Sequence, residues 1–533
     1  MSSLTSSPTG SRDGFRRLLR ARWARFRSGR GRTLAMAASV LVTVSLGLLI
    51  AGGVRSTCVT SAGEGPCPAP LVGPDGTAVS DKYYFVHQPL KGDGSITARV
   101  SDLTGQMRQP DLVPGVRNVK HGAVPWAKAG LLVRRSLQQG TSYAAVMITR
   151  GHGVRMQHDF IHDVAGSAAR GPRWLRLDRS GDLLTGYESG DGRAWTRVGE
   201  ARLAGLPETV EIGLFATSPG ALWTMASAFA QATATFDRIT LRGANGSWRH
   251  DDVGVTFDPD GRTPHHPGGA VESGGKVVVT GGGDIGPATV EGGLRADLLL
   301  SGGGLGLILV LVAAVMFHPA ERGRRPAGAS SSVPMPSWSF AGRTSAGSSQ
   351  GRPAARSSPR AGSFAGRVLA AEAVVVGMVA FAAGLVAAGI VVPVGLALLR
   401  AHRNPIQPIT LGTELRVIVG YAALAAVSAL LAFGLAALVT RRILAAGLAI
   451  ALIVVPYLLA SAGLAPWLLA ITPAAGFAIT QSVPAFAHVD VGPSLLEGHY
   501  PLPPWAGLTV ACGYAVVVLG AAIIVHRRRA APA

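Results

Sequence analysis

The chain has 533 residues, 48% of them hydrophobic and only 15% charged, yet it carries a net charge of +20. Three cysteines exclude a disulfide-dense scaffold and a zinc cluster of the usual paired spacing. The positive excess does not mark a nucleic-acid binder. Its arginines cluster beside long apolar runs, where the inward bias of positive charge in membrane proteins accounts for them.

Met1–Asp13 is rich in Ser and Thr and reads as a disordered tail. Within 1–33, Phe15, Leu18, Leu19, Trp23 and Phe26 then fall at helical spacing, with Arg16, Arg17, Arg20, Arg25 and Arg27 between them. That pattern predicts a basic amphipathic helix lying in the inner membrane interface. Residues 34–54 form a first apolar span. The small residues Ala51-Gly52-Gly53 would also suit signal cleavage, but the run is longer than a signal core, so it reads as retained with the N-terminus inside.

Residues 55–296 are expected outside. Cys58 and Cys67 lie just past the span, where an oxidising space favours closing a small disulfide loop, two free thiols being the alternative. Cys512, in the last span, reads as a small packed apolar residue. From 81 to 243 short alternating segments are cut by turn signals. Ile96–Val100, Ala129–Arg134, Tyr143–Thr149, Gly153–His158, Trp174–Asp178, Asp182–Tyr187, Ala194–Val198, Val210–Thr217 and Thr235–Arg242 read as strands. Many strands without a helical period between them predict an antiparallel sandwich.

Several features there invite a binding role. His158, Asp159, His162 and Asp163 repeat a metal-ligand pair, and two histidines four apart on one strand would share a face. Without a third placed ligand the cluster reads as a solvated edge. Trp126, Trp174, Trp195 and Trp223 could stack on a sugar ring, with core packing as the competing role. Asp178, Asp182, Glu188 and Asp191 read as turn residues rather than a glycosidase pair. Gly243–Gly293 is rich in Gly and Asp with a short strand at Lys276–Thr280. Its Gly275-Lys276 is no phosphate loop, since Ala270 and Val277 stand where Gly and a hydroxyl residue are required.

The segment Trp126-Ala127-Lys128-Ala129-Gly130-Leu131-Leu132-Val133-Arg134 resembles a strand of the concanavalin-like, laminin-G-like jelly rolls. Pro172–Leu177, Ser189–Trp195 and Glu211–Phe215 resemble its later strands. The resemblance implies a jelly roll, a fold that often binds sugars, and supplies no catalytic pair.

Residues 297–317 form a second span, with Gly302-Gly303-Gly304 offering a close approach to another helix. The tract 318–366 is a basic, low-complexity mixture of Arg, Ser, Gly, Ala and Pro that cannot bury a core. In 367–533, four further spans are expected at Ala370–Leu399, Val417–Val439, Ile443–Leu459 and Ala506–Val525, with an outer loop over about 461–505. Each approaches or exceeds the roughly 20 apolar residues that a bilayer core demands. With odd spans running outward, the clusters Arg16–Arg32, Arg322–Arg325, Arg441-Arg442 and Arg527–Arg529 all fall inside, and Arg400 and Arg403 are the exception.

From Gly366 onward the chain resembles the permease subunit of type-2 ATP-binding-cassette exporters of the actinobacterial kind. The match rests on Gly366–Ala371, on Asn404-Pro405-Ile406 followed by Thr413–Arg416, and on Val455–Leu459. It continues with Thr472–Ile479, Tyr500-Pro501-Leu502 and the Arg527–Arg529 end. The resemblance implies a six-span helical membrane protein with the β-sandwich inserted outside, and both termini in the cytoplasm. It implies a dimer of permeases and a separate P-loop ATPase docking near the Phe15–Phe26 elbow and Arg367. The chain lacks a Walker motif, so the ATP belongs to that partner and the chain is no enzyme. One departure is the 318–366 tract, which carries no acidic–aromatic coupling element. Either coupling is altered or the tract is read out of frame between two compensating shifts, and translating the other frames distinguishes the two. The alternative function is a membrane-tethered carbohydrate-binding or sensor protein. No cytoplasmic output domain accompanies it, and four terminal spans exceed what an anchor requires.

Overall fold

The computed structural model describes residues 9–60, 63–109, 118–169, 171–223, 226–254, 256–257, 264–265, 268–288, 293–318, 360–484, 486 and 498–530. The tract 319–359, most of the low-complexity linker, and the tail before Thr9 lie outside the described residues.

The helices are α1 (Thr9–Ser28), α2 (Arg30–Gly53), α3 (Gly303–Phe317), α4 (Arg360–Ala401), α5 (Leu411–Leu438), α6 (Arg442–Ser461), the single turn α7 (Leu468–Ile471) and α8 (Pro504–Ala530). Among the described residues, α2, the 366–401 part of α4, α5, α6 and α8 are five helices long and apolar enough to cross a membrane. The second expected span is different. Residues 297–317 divide into a 3-10 segment, Ala296–Leu300, and the 15-residue α3. At 1.5 Å per residue α3 is about 22 Å long, short of a hydrocarbon core of about 30 Å. The break falls at the glycine patch. A Cβ on Gly302 would sit 2.6 Å from Leu46, and one on Gly303 2.7 Å from the Tyr421 ring, so the backbone here presses on α2 and α5. Gly304 faces open space instead.

The helical core joins α3, α4, α5, α6 and α8 through Leu311, Phe317, Val376, Phe433, Ile453 and Ala522. The expected outer loop 461–505 is not simply exposed. Its Pro473–Thr480 stretch is a wholly buried 3-10 segment packed against α5 and α8. Small residues permit this: a Cβ on Gly507 would lie 2.2 Å from the Ala475 carbonyl oxygen. The first helix also begins earlier than expected, α1 already running from Thr9.

Between α2 and α3 stands a sandwich of two antiparallel sheets. One has the strand order His162–Ala165, Gly153–His158, Tyr143–Thr149, Lys128–Arg134, Thr209–Thr217, Tyr83–Lys91, Arg249–Val253. The other runs Thr196–Arg202, Leu183–Ser189, Arg173–Ser180, Gly94–Arg108, Ala230–Arg242, Lys276–Gly282, Gly269–Ser273, with Val119–His121 on the end of Gly94–Arg108. Val86, Leu131, Val146 and Leu214 from the first sheet meet Ile96, Leu175, Leu177 and Phe236 from the second. Pairing continues past residue 243, where the sequence placed the boundary, because Arg249–Val253 extends one sheet and Lys276–Gly282 the other.

Ala129–Arg134 was expected to alternate, but Lys128–Arg134 is buried throughout. The cause is a second covering layer. Tyr83, Phe85, Leu132, Tyr143 and Phe215 form a core with Val79, Phe160 and Ile285 on the other face of the first sheet. A strand covered on both faces has no solvent side to mark with polar residues. Its two ends are charged and buried instead. Arg134 pairs with Asp81 at 3.1 Å and donates to the Tyr83 hydroxyl. The Lys128 ammonium lies 2.8 Å from Asp284 and donates to the Ile285 carbonyl at 2.8 Å.

Candidate functional site

A cavity of about 220 Å³ with a mixed polar and apolar lining opens within the helical bundle, beside the turn that precedes α3. Its walls include Arg295, Asp297, Tyr421, Tyr457, Phe477 and Tyr500. The 3-10 turn before α3 brings Asp297 to the rim, where Arg295 binds it through Nε and Nη2, both at 3.1 Å. The Ser482 hydroxyl donates to the same carboxylate at 2.5 Å, so Asp297 is held from two sides. From α6, Tyr457 stacks on Phe477 of the buried 3-10 segment with centroids 4.2 Å apart. From α5, the Tyr421 hydroxyl donates to the Gly303 carbonyl at 3.2 Å.

Protonation keeps this region near neutral. Burial, then the Arg295 charge, pull His499 down to about 4, so its imidazole is uncharged at neutral pH. Burial pushes the Tyr500 phenol far upward, leaving it a hydrogen-bond donor. Hydroxyls, phenols and an internally paired Arg–Asp couple can hold a polar molecule but provide no nucleophile with its base. Sequence reading missed this site because its residues are scattered from Arg295 to Tyr500, and the segment that gathers them reads as a loop.

Both legs of the sandwich are fastened to one loop, between α4 and α5. The Asn404 side chain accepts from the Ser56 amide at 2.8 Å and donates to the Val54 carbonyl at 3.1 Å. Arg55 lies 2.6 Å from His402. On the returning leg, the Leu294 amide donates to the Pro405 carbonyl at 2.8 Å and the Gln407 amide to the Leu294 carbonyl at 3.0 Å. The Asn404-Pro405-Ile406 motif thus has a local task, joining legs that enter and leave the bundle.

At the opposite end, α1 lies against α4. Arg22 and Arg25 reach Glu372 at 2.9 and 3.1 Å, the carboxylate being almost fully buried. Phe26 is buried edge-on against Phe317, centroids 5.3 Å apart, and Leu19 packs on the helical core. Phe15 and Leu18 are half-buried, whereas Trp23 is exposed. The five expected elbow residues therefore do not share one fate: Trp23 faces away from the protein while Leu19 and Phe26 face into it.

In the sandwich, the tryptophans separate. Trp126 is buried, stacked on His152 with centroids 3.9 Å apart, so it is no exposed platform. Trp174 and Trp195 are half-buried on the outer face of the second sheet, where the Arg176 guanidinium lies 4.9 Å over Tyr187 and 5.9 Å from Trp195. The Trp223 side chain lies outside the described residues. His158 and His162 do not follow one another on a strand. They face across a tight hairpin whose turn residues Asp159 and Phe160 both have positive φ, and their rings stack at 4.4 Å. Asp163 is taken up by Arg155. Among the described residues no group of three or more His, Cys, Asp and Glu is arranged to hold a metal ion.

Asp191 is a turn residue, accepting from the Arg193 and Ala194 amides at 2.8 and 2.9 Å, which hold its carboxyl down at about 2. Glu188 is instead a buried strand residue, bound to Arg173 at 3.0 Å. Cys58 and Cys67 form a disulfide across a short hairpin just beyond α2, and Cys512 is free.

No family model matches the chain. No curated protein matches it either. Among solved structures, it is similar to the crystal structure of a functionally unknown protein from Saccharomyces cerevisiae. The two are 15% identical, the match covers 31% of this chain and 76% of that one, and the TM-score is 0.20. A likeness at that level carries no argument about fold or function.

Proposed function

We propose that the chain is the membrane-spanning subunit of a type-2 ATP-binding-cassette exporter, working as a dimer with a separate P-loop ATPase. In this reading α3 is a short second span that brings the total to six, both termini are cytoplasmic, and the sandwich is an extracellular jelly roll. The observation that carries the proposal is a cavity inside the bundle lined in part by Tyr421, Tyr457, Tyr500, Thr480 and the Arg295–Asp297 pair. Hydrophilic groups within membrane-embedded helices are costly and face a pathway or a partner. Its support comes from elsewhere too: the paired elbow at Glu372 and the sequence motifs from Gly366 onward.

A tethered binder would need spans only as anchors. The two-legged attachment to the α4–α5 loop favours a sandwich that moves with the helices. The passive pathway would be switched by ATP binding at the inner side between states that differ in affinity for cargo. The test is affinity capture of the full chain from native membranes followed by mass spectrometry. An ATPase subunit recovered in equal amount is expected. Capture of the chain alone, in detergent that preserves a known complex of this kind, would return the tethered-binder reading.

A further inference from the structure

At one end of the bundle the chain gathers three arginines and two histidines from separate elements. Arg25 comes from α1, Arg32 from α2, His318 from the end of α3, Arg442 from the start of α6 and His526 from α8. Arg32 spreads over the Phe317 ring at 5.2 Å and donates to the Arg25 carbonyl at 2.7 Å. Arg442 donates to the His318 carbonyl at 2.6 Å. The His318 ring meets Phe433 edge-on at 5.7 Å and the His526 ring at 5.6 Å. The carboxylate beside them, Glu372, is already engaged by Arg22 and Arg25.

This basin is incomplete as it stands. Arg32 Nε, His318 Nδ1 and His526 Nδ1 are buried and lack a hydrogen-bond partner among the described residues. Buried polar atoms are ordinarily paired, and like charges brought together repel unless an anion lies between them. Burial, and then the neighbouring His526, Arg442 and Arg25, hold His318 down at about 4. Guanidinium groups suit phosphate oxygens in particular, because their planar donors match that geometry.

We propose that this basin binds a phosphate-type oxyanion, in place the headgroup of an acidic phospholipid of the inner leaflet. Arg32 and Arg442 would hold the oxygens, and His318 and His526 would complete the donor set. The proposal requires only that this end lie at the membrane surface, and is independent of whether the bundle transports.

The full chain, purified in detergent, is heated with phosphatidylglycerol, with phosphatidylcholine or with inorganic phosphate, and retained lipid is counted by native mass spectrometry. Phosphatidylglycerol is expected to raise the unfolding midpoint and be retained, and phosphatidylcholine is not. Arg442→Gln should weaken retention roughly tenfold, the loss expected for one charge-assisted hydrogen bond. Arg17→Gln, an exposed charge outside the basin, should leave it unchanged. Protection by inorganic phosphate as well would support the same site with a free anion as occupant. Equal effects of the two lipids, or equal loss in Arg17→Gln and Arg442→Gln, would overturn the proposal, since either means diffuse surface charge. No stabilisation by either anion would overturn it too. Arg32→Gln serves as the second variant, and unchanged retention in both basin variants would again refute the site.

Discussion

A fragment cut at the boundary the sequence suggests, residues 81–243, should not fold, whereas one spanning 69–288 should. The shorter fragment loses the strand Lys276–Gly282, which pairs with Ala230–Arg242 along seven residues, from Gln231–Gly282 to Asp237–Lys276. Val277, Val279 and Ile285 go with it, all nearly or fully buried. Each contributes about 1.5–3 kcal/mol by burial. The fragment also loses Asp284 and the Ile285 carbonyl, the two groups that the Lys128 ammonium, 2% exposed, binds in the sandwich. Removing one side of a buried pair costs about 3–5 kcal/mol. Together these losses are comparable with the whole stability of a domain, about 5–15 kcal/mol. The assay is urea unfolding followed by circular dichroism, on both fragments secreted into an oxidising compartment. A cooperative transition for residues 81–243 within about 1 kcal/mol of the longer fragment would refute the reasoning, because covering the first sheet's outer face would then be dispensable.

Glu372→Gln strands Arg22 and Arg25 and should loosen α1, at a cost of about 1–3 kcal/mol given the partial exposure of the arginines; faster proteolysis after Arg27 in membranes would register it, and an unchanged rate would count against the anchoring role. Leu18, Leu19 and Trp23 changed together to Asp should unseat α1 and abolish substrate-stimulated ATPase activity of the complex, with the sandwich still folded; retained stimulation would contradict the elbow's role. Denatured, unreduced protein should show one titratable thiol, Cys512, and three after reduction, and three before reduction would exclude the Cys58–Cys67 bridge. His499 is held at about 4 against an ordinary 6.5, so the unfolded state binds its proton first as pH falls. Stability should therefore be full above about 6.5 and decline toward 4, by on the order of 2–3 kcal/mol; His499→Asn should flatten that slope, and an identical pH profile would dismiss the residue as its source. On a glycan array, Trp195→Ala should lose any signal the native sandwich gives, and a retained signal would move the contact away from the Trp195–Tyr187 face.

The strands and long helices were legible because they depend on local pattern. Tyr143–Thr149 and Gly153–His158 coincide residue for residue with the expected strands. The misreadings arose where distant parts of the chain decide. Whether residues 129–134 have a solvent face depends on Val79 and Ile285, about 50 and 150 positions away. The sequence does not reveal the hairpin between His158 and His162 because its turn uses Asp159 and Phe160, and Phe is an unusual residue at positive φ. Pro473–Thr480 is apolar yet too short for a span, and only the bundle it enters reveals its burial. The cavity and the cationic basin are assembled entirely from such distant contacts.

The legs of the sandwich also bear on how separable it is from the helices. Ser56, where the chain leaves α2, bonds Asn404, and Leu294, where it returns, bonds Pro405. The departing and returning strands of chain are therefore neighbours, held by adjacent residues of one loop. An insertion whose ends coincide in this way demands nothing of its host beyond a hairpin turn. Splicing a few residues between Ser56 and Leu294 would leave a plain helical hairpin of α2 and α3. The same junction would accept a different folded domain with closely spaced termini, making the bundle a chassis and the sandwich an exchangeable cargo upon it.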